Sequence, residues 1–360
     1  MKRARRLLAT ASLAALASLA TAARPAAQIR PVPVALDRGD RVLALSVNPA
    51  EDGDFDAAMW RARLAGAHAT TLVVYWDEVE VAPGVYDAGW LPFANAYFPA
   101  WGMSVTLVVN PIDTTVLRVP ADLQGLPFDH PLVVSRFEDF LGFVLAQIPA
   151  LDLVALSIGN EVDAYLGGDP ALWGAWYGFY ALTSTRARSL RPGLVVGCKA
   201  THAGLTGARW AELQLVNLWS DAVLATYYPL NPDFTVQSPA VVGPDLDLLV
   251  ALYPGRRVHL CEAGYPTSPW CGSSDLAQAL LVQQVFRAWD RHADVLKYVE
   301  FTFLHDVSPE TVNAWMDYYG FHDLRFGEFL RTLGLRTYPG SGADKWGYAM
   351  LWWEAHTRGW

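Results

Sequence analysis

Eight short apolar runs, separated by stretches with helical character, constrain the fold of this chain more than any other feature. The runs are rich in Val, Leu and Ile on both faces, as strands buried in a parallel sheet are. Strands are predicted at residues 41–47, 70–75, 104–109, 153–158, 194–198, 222–227, 257–261 and 298–303. Helices are predicted between them at residues 54–66, 131–148, 169–190, 208–219, 245–252 and 274–291. This α/β alternation predicts a (β/α)8 TIM barrel.

The connecting segments support this alternation of strands and helices. Pro-Gly pairs at 192–193 and 254–255 mark turns from helix to strand, and Ser274 followed by Asp275 marks the start of a helix. The segments after the second and eighth runs show no clear pattern, and residues 342–360 are expected to form a further outer helix. A doubly wound open sheet is the alternative, but no Gly-x-Gly-x-x-Gly follows the first run.

The chain has 360 residues, of which 52% are hydrophobic, so it can bury a large core. It shows no internal repeat, no low-complexity linker and no abrupt change of composition. A single domain is therefore predicted from about residue 36 to residue 360.

The N-terminal residues have the pattern of an export signal. Residues 2–6 carry four basic side chains, an apolar stretch follows at 7–20, and small residues surround positions 21–23. Cleavage is expected after residue 23 or near residue 27, so residues 1–27 are predicted to be a signal peptide with a short leader. The apolar stretch is too short to favour a permanent membrane span. These features predict a secreted or periplasmic protein and leave the export route open.

The charge of the mature chain argues against two classes of partner. Loss of residues 1–27 removes five basic side chains, which takes the formal net charge from −9 to −14. A strongly acidic surface does not favour nucleic acids or anionic membranes. Residues 28–360 contain no second long apolar run, so no membrane association of the mature form is expected.

The cysteines and histidines give no metal-binding pattern. Cys198, Cys261 and Cys271 lack zinc-site spacing. A Cys261–Cys271 disulfide and three unpaired thiols are both compatible with an exported protein. No metal and no cofactor are predicted.

Two of the predicted strands are followed by glutamates. Glu161 comes after Gly159 and Asn160 at the end of the fourth run, and Glu262 directly follows the seventh. Active-site groups in barrels lie at the carboxyl ends of strands. The other polar and aromatic residues at these ends are Asn48, Trp76, Asp77, Glu78, Asn110, Asp113, Asp163, Lys199, His202, Tyr227, Tyr228, Tyr265, His305 and Asp306. The chain has no serine nucleophile elbow, no His-Glu-x-x-His helix and no phosphate loop.

At these motifs the sequence resembles the clan A glycoside hydrolases, which are retaining barrel enzymes with catalytic glutamates on strands four and seven. Residues 157–162 read Ser-Ile-Gly-Asn-Glu-Val and match the fourth-strand motif, while residues 260–267 read Leu-Cys-Glu-Ala-Gly-Tyr-Pro-Thr and match the seventh. Segments 76–87, 226–229 and 334–337 resemble further parts of these enzymes. The Gly-Tyr-Pro-Thr run leans towards the β-1,4-galactanase and β-1,3-glucanase branches.

The resemblance implies a role for each matched residue. Glu161 would be the general acid and then the base, and Glu262 the nucleophile, with their carboxyl groups about 5 Å apart. Asn160 would bond the sugar 2-hydroxyl, and Tyr228, or else Tyr227, would hold Glu262. Trp76, Asn110 and His305 complete the candidate substrate contacts. The tryptophans considered as sugar platforms are Trp76, Trp90, Trp173, Trp270 and Trp315, although packing is the commoner role for each.

The sequence departs from the clan A pattern at two places. The strand at 70–75 lacks the arginine that many members carry near the nucleophile, and the run 301–306 lacks their tryptophan. The chain is therefore predicted to be a retaining glycosidase that cleaves a β-linked oligo- or polysaccharide of unspecified sugar. The rival hypothesis is a catalytically inactive barrel that binds a glycan or a protein.

Overall fold

The computed structural model of the protein describes residues 35–360, so the predicted signal peptide at 1–27 lies outside the described residues. Within the described residues there are twelve strands: β1 (Val42–Leu45), β2 (Ala69–Tyr75), β3 (Glu80–Ala82), β4 (Val85–Tyr86), β5 (Ser104–Asp113), β6 (Val116–Leu117), β7 (Leu153–Asn160), β8 (Val196–Gly197), β9 (Lys199–Thr201), β10 (Ala222–Tyr227), β11 (Arg257–Ala263) and β12 (Leu296–Phe301).

The same part of the chain has thirteen α-helices: α1 (Phe55–Leu64), α2 (Trp76–Val79), α3 (Leu91–Ala100), α4 (Pro131–Gln147), α5 (Val162–Leu166), α6 (Pro170–Leu190), α7 (His202–Thr206), α8 (Trp210–Asn217), α9 (Val242–Leu252), α10 (Asp275–Arg291), α11 (Pro309–Tyr319), α12 (Leu324–Arg331) and α13 (Trp346–Thr357). Among residues 35–360, none of these helices combines the length and the apolar character that crossing a bilayer requires.

Nine of the twelve strands form one parallel barrel in the order β8-β7-β5-β2-β1-β12-β11-β10-β9. Strand β6 pairs antiparallel with β5, and β3 and β4 form a separate hairpin. Strands β8 and β9 are consecutive pieces of one segment interrupted at Cys198; β8 pairs with β7 and β9 pairs with β10, so this segment closes the ring. All eight predicted strands are present, the (β/α)8 barrel is confirmed, and the open doubly wound sheet is excluded.

The outer helices form where the sequence gives a start signal and an apolar face. In α4, Pro131 occupies the first turn, where its missing N–H costs nothing, and Phe137, Leu141 and Val144 turn inward at helical spacing. In α10, the Ser274 hydroxyl accepts a hydrogen bond from the Ala277 N–H at 3.2 Å, which confirms the predicted start of this helix.

The two segments without a clear sequence pattern, after the second and the eighth barrel strands, both contain helices. After the second barrel strand and the β3–β4 hairpin, α3 supplies the outer helix. After β12, α11 and α12 precede α13, and Tyr318 of α11 donates a hydrogen bond to Asp113 at the carboxyl end of β5. The predicted tail helix, α13, packs against α10, and its Tyr348 hydroxyl bonds the Arg61 carbonyl of α1 at 2.9 Å. It therefore takes the place of the eighth barrel helix, while α11 reaches across the barrel mouth.

The three cysteines are buried and unpaired, so the disulfide considered between Cys261 and Cys271 is not formed. Cys261 lies in β11 and Cys198 in the break between β8 and β9, whereas Cys271 belongs to a second apolar cluster that contains residues of α11 and α12. All three act as small apolar side chains in their surroundings.

Candidate active site

Glu161 and Glu262 lie at the carboxyl ends of the fourth and seventh barrel strands. Glu262 is within β11, and Glu161 follows β7 directly. Gly159 lies near the end of β7 with a φ of +85°, and a Cβ atom at this position would lie only 2.5 Å from Val162 Cγ1, so the strand end requires glycine here. Glu161 itself has a φ of +45°, a strained conformation of the kind that concentrates at functional sites.

Two hydroxyl groups hold the carboxyl group of Glu161. Thr226 Oγ1 donates to Glu161 Oε1 at 2.5 Å, and Thr114 Oγ1 donates to Oε2 at 3.0 Å. Burial, followed by the negative charge of Glu262, raises the pKa of Glu161 to about 7. Glu161 is therefore protonated over the weakly acidic range, as a general acid must be.

Glu262 receives a hydrogen bond at each oxygen. Tyr228 donates its hydroxyl proton to Oε2 at 2.5 Å, and Lys199 Nζ donates to Oε1 at 2.8 Å. Because the second donor is a cation, its hydrogen bond to Glu262 is charge-assisted. The structure also decides between the two neighbouring tyrosines, since Tyr228 and not Tyr227 contacts Glu262.

Lys199 is a site residue whose role the sequence analysis missed. It lies in β9, its side chain is 2% exposed, and it forms the salt bridge with Glu262. Burial disfavours its charged form, but the negative charge of Glu262 outweighs this and raises the pKa of Lys199.

Asp163 anchors the same strand by accepting hydrogen bonds from the Thr201 N–H at 2.9 Å and the Thr201 hydroxyl at 2.6 Å. A buried strand seldom contains an unpaired lysine, so the position of Lys199 in the sequence indicated that it has a partner of opposite charge.

A second buried carboxyl group lies beneath Lys199. Glu300 of β12 is fully buried and accepts hydrogen bonds from Ser46 at 2.8 Å, Thr71 at 2.5 Å and Tyr298 at 2.8 Å. Burial raises the pKa of Glu300, and the charge of Lys199 opposes that rise. The ammonium group of Lys199 therefore acts on both carboxyl groups: it bonds Glu262, and its charge opposes the rise in the pKa of Glu300.

Asn160 is held in one orientation by a carboxylate. Its Nδ2 donates to Asp113 Oδ1 at 2.8 Å, and Asp113 Oδ2 also accepts from Tyr318 at 2.9 Å and Tyr75 at 3.2 Å. A flipped amide would place its oxygen against this carboxylate, so the orientation shown is the favourable one. Asn160 Oδ1 is buried without a hydrogen-bond partner among the described residues. It is available to accept a hydrogen bond from a hydroxyl group of a bound molecule.

Two predicted substrate contacts are corrected because their side chains point into the protein. Trp76 is fully buried, packs against Phe137 at 5.0 Å between ring centroids, and donates its indole N–H to Glu80 Oε2 at 2.7 Å. Tyr227 is 1% exposed and donates its hydroxyl to Asp245 Oδ2 on α9 at 2.7 Å. Neither ring offers a face to the barrel mouth.

The remaining two predicted contacts also have structural partners. Asn110 is fully buried and its Nδ2 lies 3.4 Å from Asp113 Oδ1, so it supports Asp113 from below. His305 is 2% exposed; its Nδ1 lies 2.7 Å from the Asn48 carbonyl, and its Nε2 accepts from Arg336 Nε at 3.1 Å. Both ring nitrogens are occupied, which corrects the role predicted for His305.

The site contains two carboxyl groups in contrasting environments, which is the requirement for acid and nucleophile roles at one bond. Burial and a neighbouring charge keep Glu161 protonated, whereas a cation and a phenol bond Glu262. Within residues 35–360, no group of three or more His, Cys, Asp or Glu side chains is placed to hold a metal ion.

The fold is shared with solved glycoside hydrolases. An exo-β-1,4-mannosidase, Op5Man5 from Opitutaceae bacterium strain TAV5, is 16% identical with a TM-score of 0.67 over 88% of this chain and 59% of that chain. A GH5_18 protein from Streptomyces cattleya in complex with GlcNAc is 16% identical with a TM-score of 0.67 over 89% and 80%. A family 39 glycoside hydrolase from Bacteroides cellulosilyticus WH2 is 12% identical with a TM-score of 0.57 over 89% and 64%.

These likenesses show the fold, a (β/α)8 barrel of the kind found in glycoside hydrolases, as the resemblance to clan A predicted. The chain spans 59% of the length of the Op5Man5 chain. Neither a protein-family model nor a curated protein sequence matches the chain.

Proposed function

We propose that the protein is a retaining glycoside hydrolase that cleaves a β-linked glycan by double displacement. The observation that carries this proposal is the placement of Glu161 and Glu262 at the ends of the fourth and seventh strands in contrasting environments. The structural similarity of the solved neighbours supports the fold alone, because their sequence identity is low, so the proposed activity rests on this pair of side chains.

In the first step, a carboxylate oxygen of Glu262 attacks the anomeric carbon as the bond to the leaving oxygen breaks. Glu161 transfers its proton to that oxygen, so the leaving sugar departs as a neutral alcohol. A covalent glycosyl ester of Glu262 forms with inverted anomeric configuration. Asn160 would bind the sugar 2-hydroxyl in this step, and its buried Oδ1, which has no hydrogen-bond partner among the described residues, supports this role.

In the second step, the ionised Glu161 accepts a proton from water as the water attacks the anomeric carbon and Glu262 leaves as a carboxylate. The change of role follows from electrostatics. The charge of Glu262 helps to raise the pKa of Glu161, and esterification removes that charge. The pKa of Glu161 then falls, which converts the acid into a base. Two inversions give net retention.

Lys199 supplies the positive charge beside the nucleophile that an arginine on the second strand would otherwise give. It stabilises the carboxylate before attack and again as the leaving group of the second step. Its contact with Glu262 Oε1 leaves the other oxygen bonded to neutral Tyr228.

Replacement of Lys199 by Met should lower kcat/KM by about 10²-fold on every substrate, because the carboxyl group of Glu262 loses its cationic partner while Tyr228 still bonds it. Lys199→Arg is the matched control, because it keeps a positive charge beside Glu262, and it should retain more activity than the Met variant. A Met variant with wild-type kcat/KM, or an Arg variant as slow as the Met variant, would contradict an electrostatic role for Lys199.

The experiment that tests the proposed function is the release of reducing ends from β-glucans, β-galactans, β-mannans and xylans, with the anomer of the first product followed by proton NMR. Release with the β-anomer formed first supports the proposal. Release with the α-anomer first would establish an inverting enzyme instead. Binding without release would favour the inactive barrel. The similarity of the Gly-Tyr-Pro-Thr run to β-1,4-galactanases and β-1,3-glucanases remains a prediction about the substrate, and the same panel of polysaccharides tests it.

We also infer that the protein is exported, because residues 2–23 have the basic, apolar and small-residue order of a signal peptide. N-terminal sequencing of the protein recovered outside the cytoplasm tests this. A mature N-terminus between residues 24 and 28 agrees with export by cleavage, and an intact residue 1 contradicts it.

A further inference from the structure

A cavity of about 420 Å³ opens at the carboxyl ends of β1 and β12, outside the group of residues that surround Glu161 and Glu262. Phe303 and Trp315 form its aromatic wall, with ring centroids 5.7 Å apart and planes inclined by 33°. Asn48, Asp306 and Tyr338 are among its polar lining residues. This volume is in the range of small-ligand sites, and we call it the Trp315 cavity.

A backbone hydrogen bond links the segment that lines the Trp315 cavity to the strand that carries the nucleophile. The Thr302 N–H donates to the carbonyl of Ala263, the residue after Glu262, at 3.0 Å. Phe303 follows Thr302 directly and lines the cavity. The wall of the cavity therefore begins where the neighbourhood of Glu262 ends.

Helix α11 makes a second connection between the cavity and the carboxyl groups. Trp315 and Tyr319 are four residues apart, so they share one face of the helix, about 6 Å apart along its axis. Burial and then the negative charges of nearby carboxylates, among them Glu161 and Glu262, raise the pKa of Tyr319. Helix α11 thus lines the cavity with Trp315, and its Tyr318 hydroxyl donates to Asp113, which holds Asn160 beside Glu161.

The barrel order assigns the cavity to one side of the cleaved bond. Glu161 must lie beside the leaving oxygen that it protonates, so the leaving sugar lies towards the fourth strand, β7. In a ring of eight strands, the eighth strand stands opposite the fourth, and β12 is flanked by β11 and β1. A cavity between β12 and β1 is therefore on the side of the sugar that becomes bound to Glu262, beyond that sugar.

The lining selects a neutral sugar. Among the described residues that line the cavity there is no Lys or Arg, while Glu51 and Asp306 are present. Asp306 already bonds the ammonium group of Lys345 at 2.6 Å, and Glu51 accepts from the Gly340 N–H at 2.7 Å. Nothing here would neutralise a uronate or a sulfate, whereas the aromatic faces suit the apolar C–H face of a neutral hexose.

We propose that the Trp315 cavity is a binding subsite for a second neutral sugar on the glycone side, so that the enzyme acts on glycans with at least two sugars before the cleaved bond. This inference rests on the proposed hydrolase function. Such an enzyme differs from one that removes single terminal sugars, because binding of a second sugar in the subsite favours longer glycans as substrates.

The test compares 4-nitrophenyl β-glycosides of glucose, galactose and mannose with the glycosides of their β-1,4-linked disaccharides. Wild-type enzyme should prefer the disaccharide glycoside of its sugar in kcat/KM. Trp315→Ala should reduce the ratio of disaccharide to monosaccharide kcat/KM by roughly 10- to 30-fold. Trp315→Phe, which keeps an aromatic face, should retain most of the ratio.

The control is Trp353→Ala, because Trp353 lies 62% exposed on α13, away from the barrel mouth. This variant should leave both rates at their wild-type values. A fold defect in Trp315→Ala would lower both rates together, so the ratio reports the subsite alone. An unchanged ratio would overturn the subsite while leaving the hydrolase proposal intact.

If the wild type cleaves none of these glycosides, the polysaccharide panel decides the hydrolase proposal and calorimetry decides the subsite separately. Cellotetraose, galactotetraose and mannotetraose would be titrated into wild type and Trp315→Ala. Binding that Trp315→Ala weakens about tenfold or more keeps the subsite as a glycan site. Equal binding by both proteins, or no binding by the wild type, overturns it.

Discussion

Glu262→Gln is expected to lower kcat by roughly 10⁴-fold or more on every substrate that the wild type hydrolyses. The amide has nearly the shape of the carboxylate but cannot form the glycosyl ester, so the first step has no nucleophile. It also leaves Lys199 with a neutral partner in a buried place. Initial rates on the polysaccharide and on the aryl glycoside that the wild type prefers measure the loss.

The matched control is Glu212→Gln, since Glu212 lies on α8 in a partly exposed pair with Arg209 and contacts none of the site residues named above. It should keep wild-type rates. A smaller variant, Glu262→Ala, leaves room for azide on the face of the attacking carboxylate, and the expected product is the α-glycosyl azide. Retention of more than a few per cent of activity by Glu262→Gln would remove Glu262 from the role of nucleophile.

Glu161→Gln is expected to lose about 10²- to 10⁴-fold in kcat/KM on substrates whose leaving group is a sugar. A sugar alkoxide is a poor leaving group and needs the proton of Glu161, whereas 2,4-dinitrophenolate leaves without one. The first step with a dinitrophenyl glycoside should therefore be little affected. The second step should be slow because the amide cannot activate water, so an initial burst of dinitrophenolate is expected.

The pH dependence of kcat/KM distinguishes acid catalysis by Glu161 from a structural role. Burial and the charge of Glu262 raise its pKa to about 7, so the acid form is present below that pH and is lost as the pH rises through it. Wild-type kcat/KM on a sugar leaving group should fall above pH 7, and Glu161→Gln should lack that limb. Equal losses on all leaving groups, with the limb unchanged, would contradict the assignment.

The strand positions and the two glutamates were predictable because the signals are local. A parallel strand buried on both faces shows as a continuous apolar run, and a carboxylate at its end marks the barrel mouth. Both glutamates occupy the strand ends that the count of runs predicted. The sequence indicates less clearly which face of a strand each side chain occupies. Side chains alternate at the end of β10: Thr226 bonds Glu161, Tyr227 bonds Asp245 of α9, and Tyr228, directly after the strand, bonds Glu262.

A register shift explains why the two tyrosines could not be separated from the sequence. The pairing between β10 and β11 slips between Ala225 and Thr226, and such an irregularity changes which residues reach the mouth. The predicted substrate contact of Trp76 was wrong for a different reason. It comes immediately after β2, where a chain can turn outward, and the buried acceptor Glu80 draws its indole N–H into the core.

The partner of Lys199 and the position of helix α11 could not be predicted because their contacts are remote in the chain. Lys199 pairs with a residue 63 positions later, so a lysine in a buried strand indicates that it has a partner but does not indicate which residue that partner is. Val312 is the one buried residue of α11, so the helix lacks the apolar stripe that marks a core helix. Its aromatic residues face the barrel mouth.

The central claim is that Glu262 forms a covalent bond with the sugar, and trapping that intermediate tests it most directly. The protein would be incubated with 2-deoxy-2-fluoro-β-glycosyl fluorides of glucose, galactose and mannose, digested with pepsin and mapped by mass spectrometry. The fluorine at C2 slows both steps and the fluoride leaving group speeds the first, so the ester accumulates. The account predicts one glycosyl group on the peptide that contains Glu262. A label on any other residue, or no label from an enzyme that hydrolyses the parent β-glycoside, would contradict it.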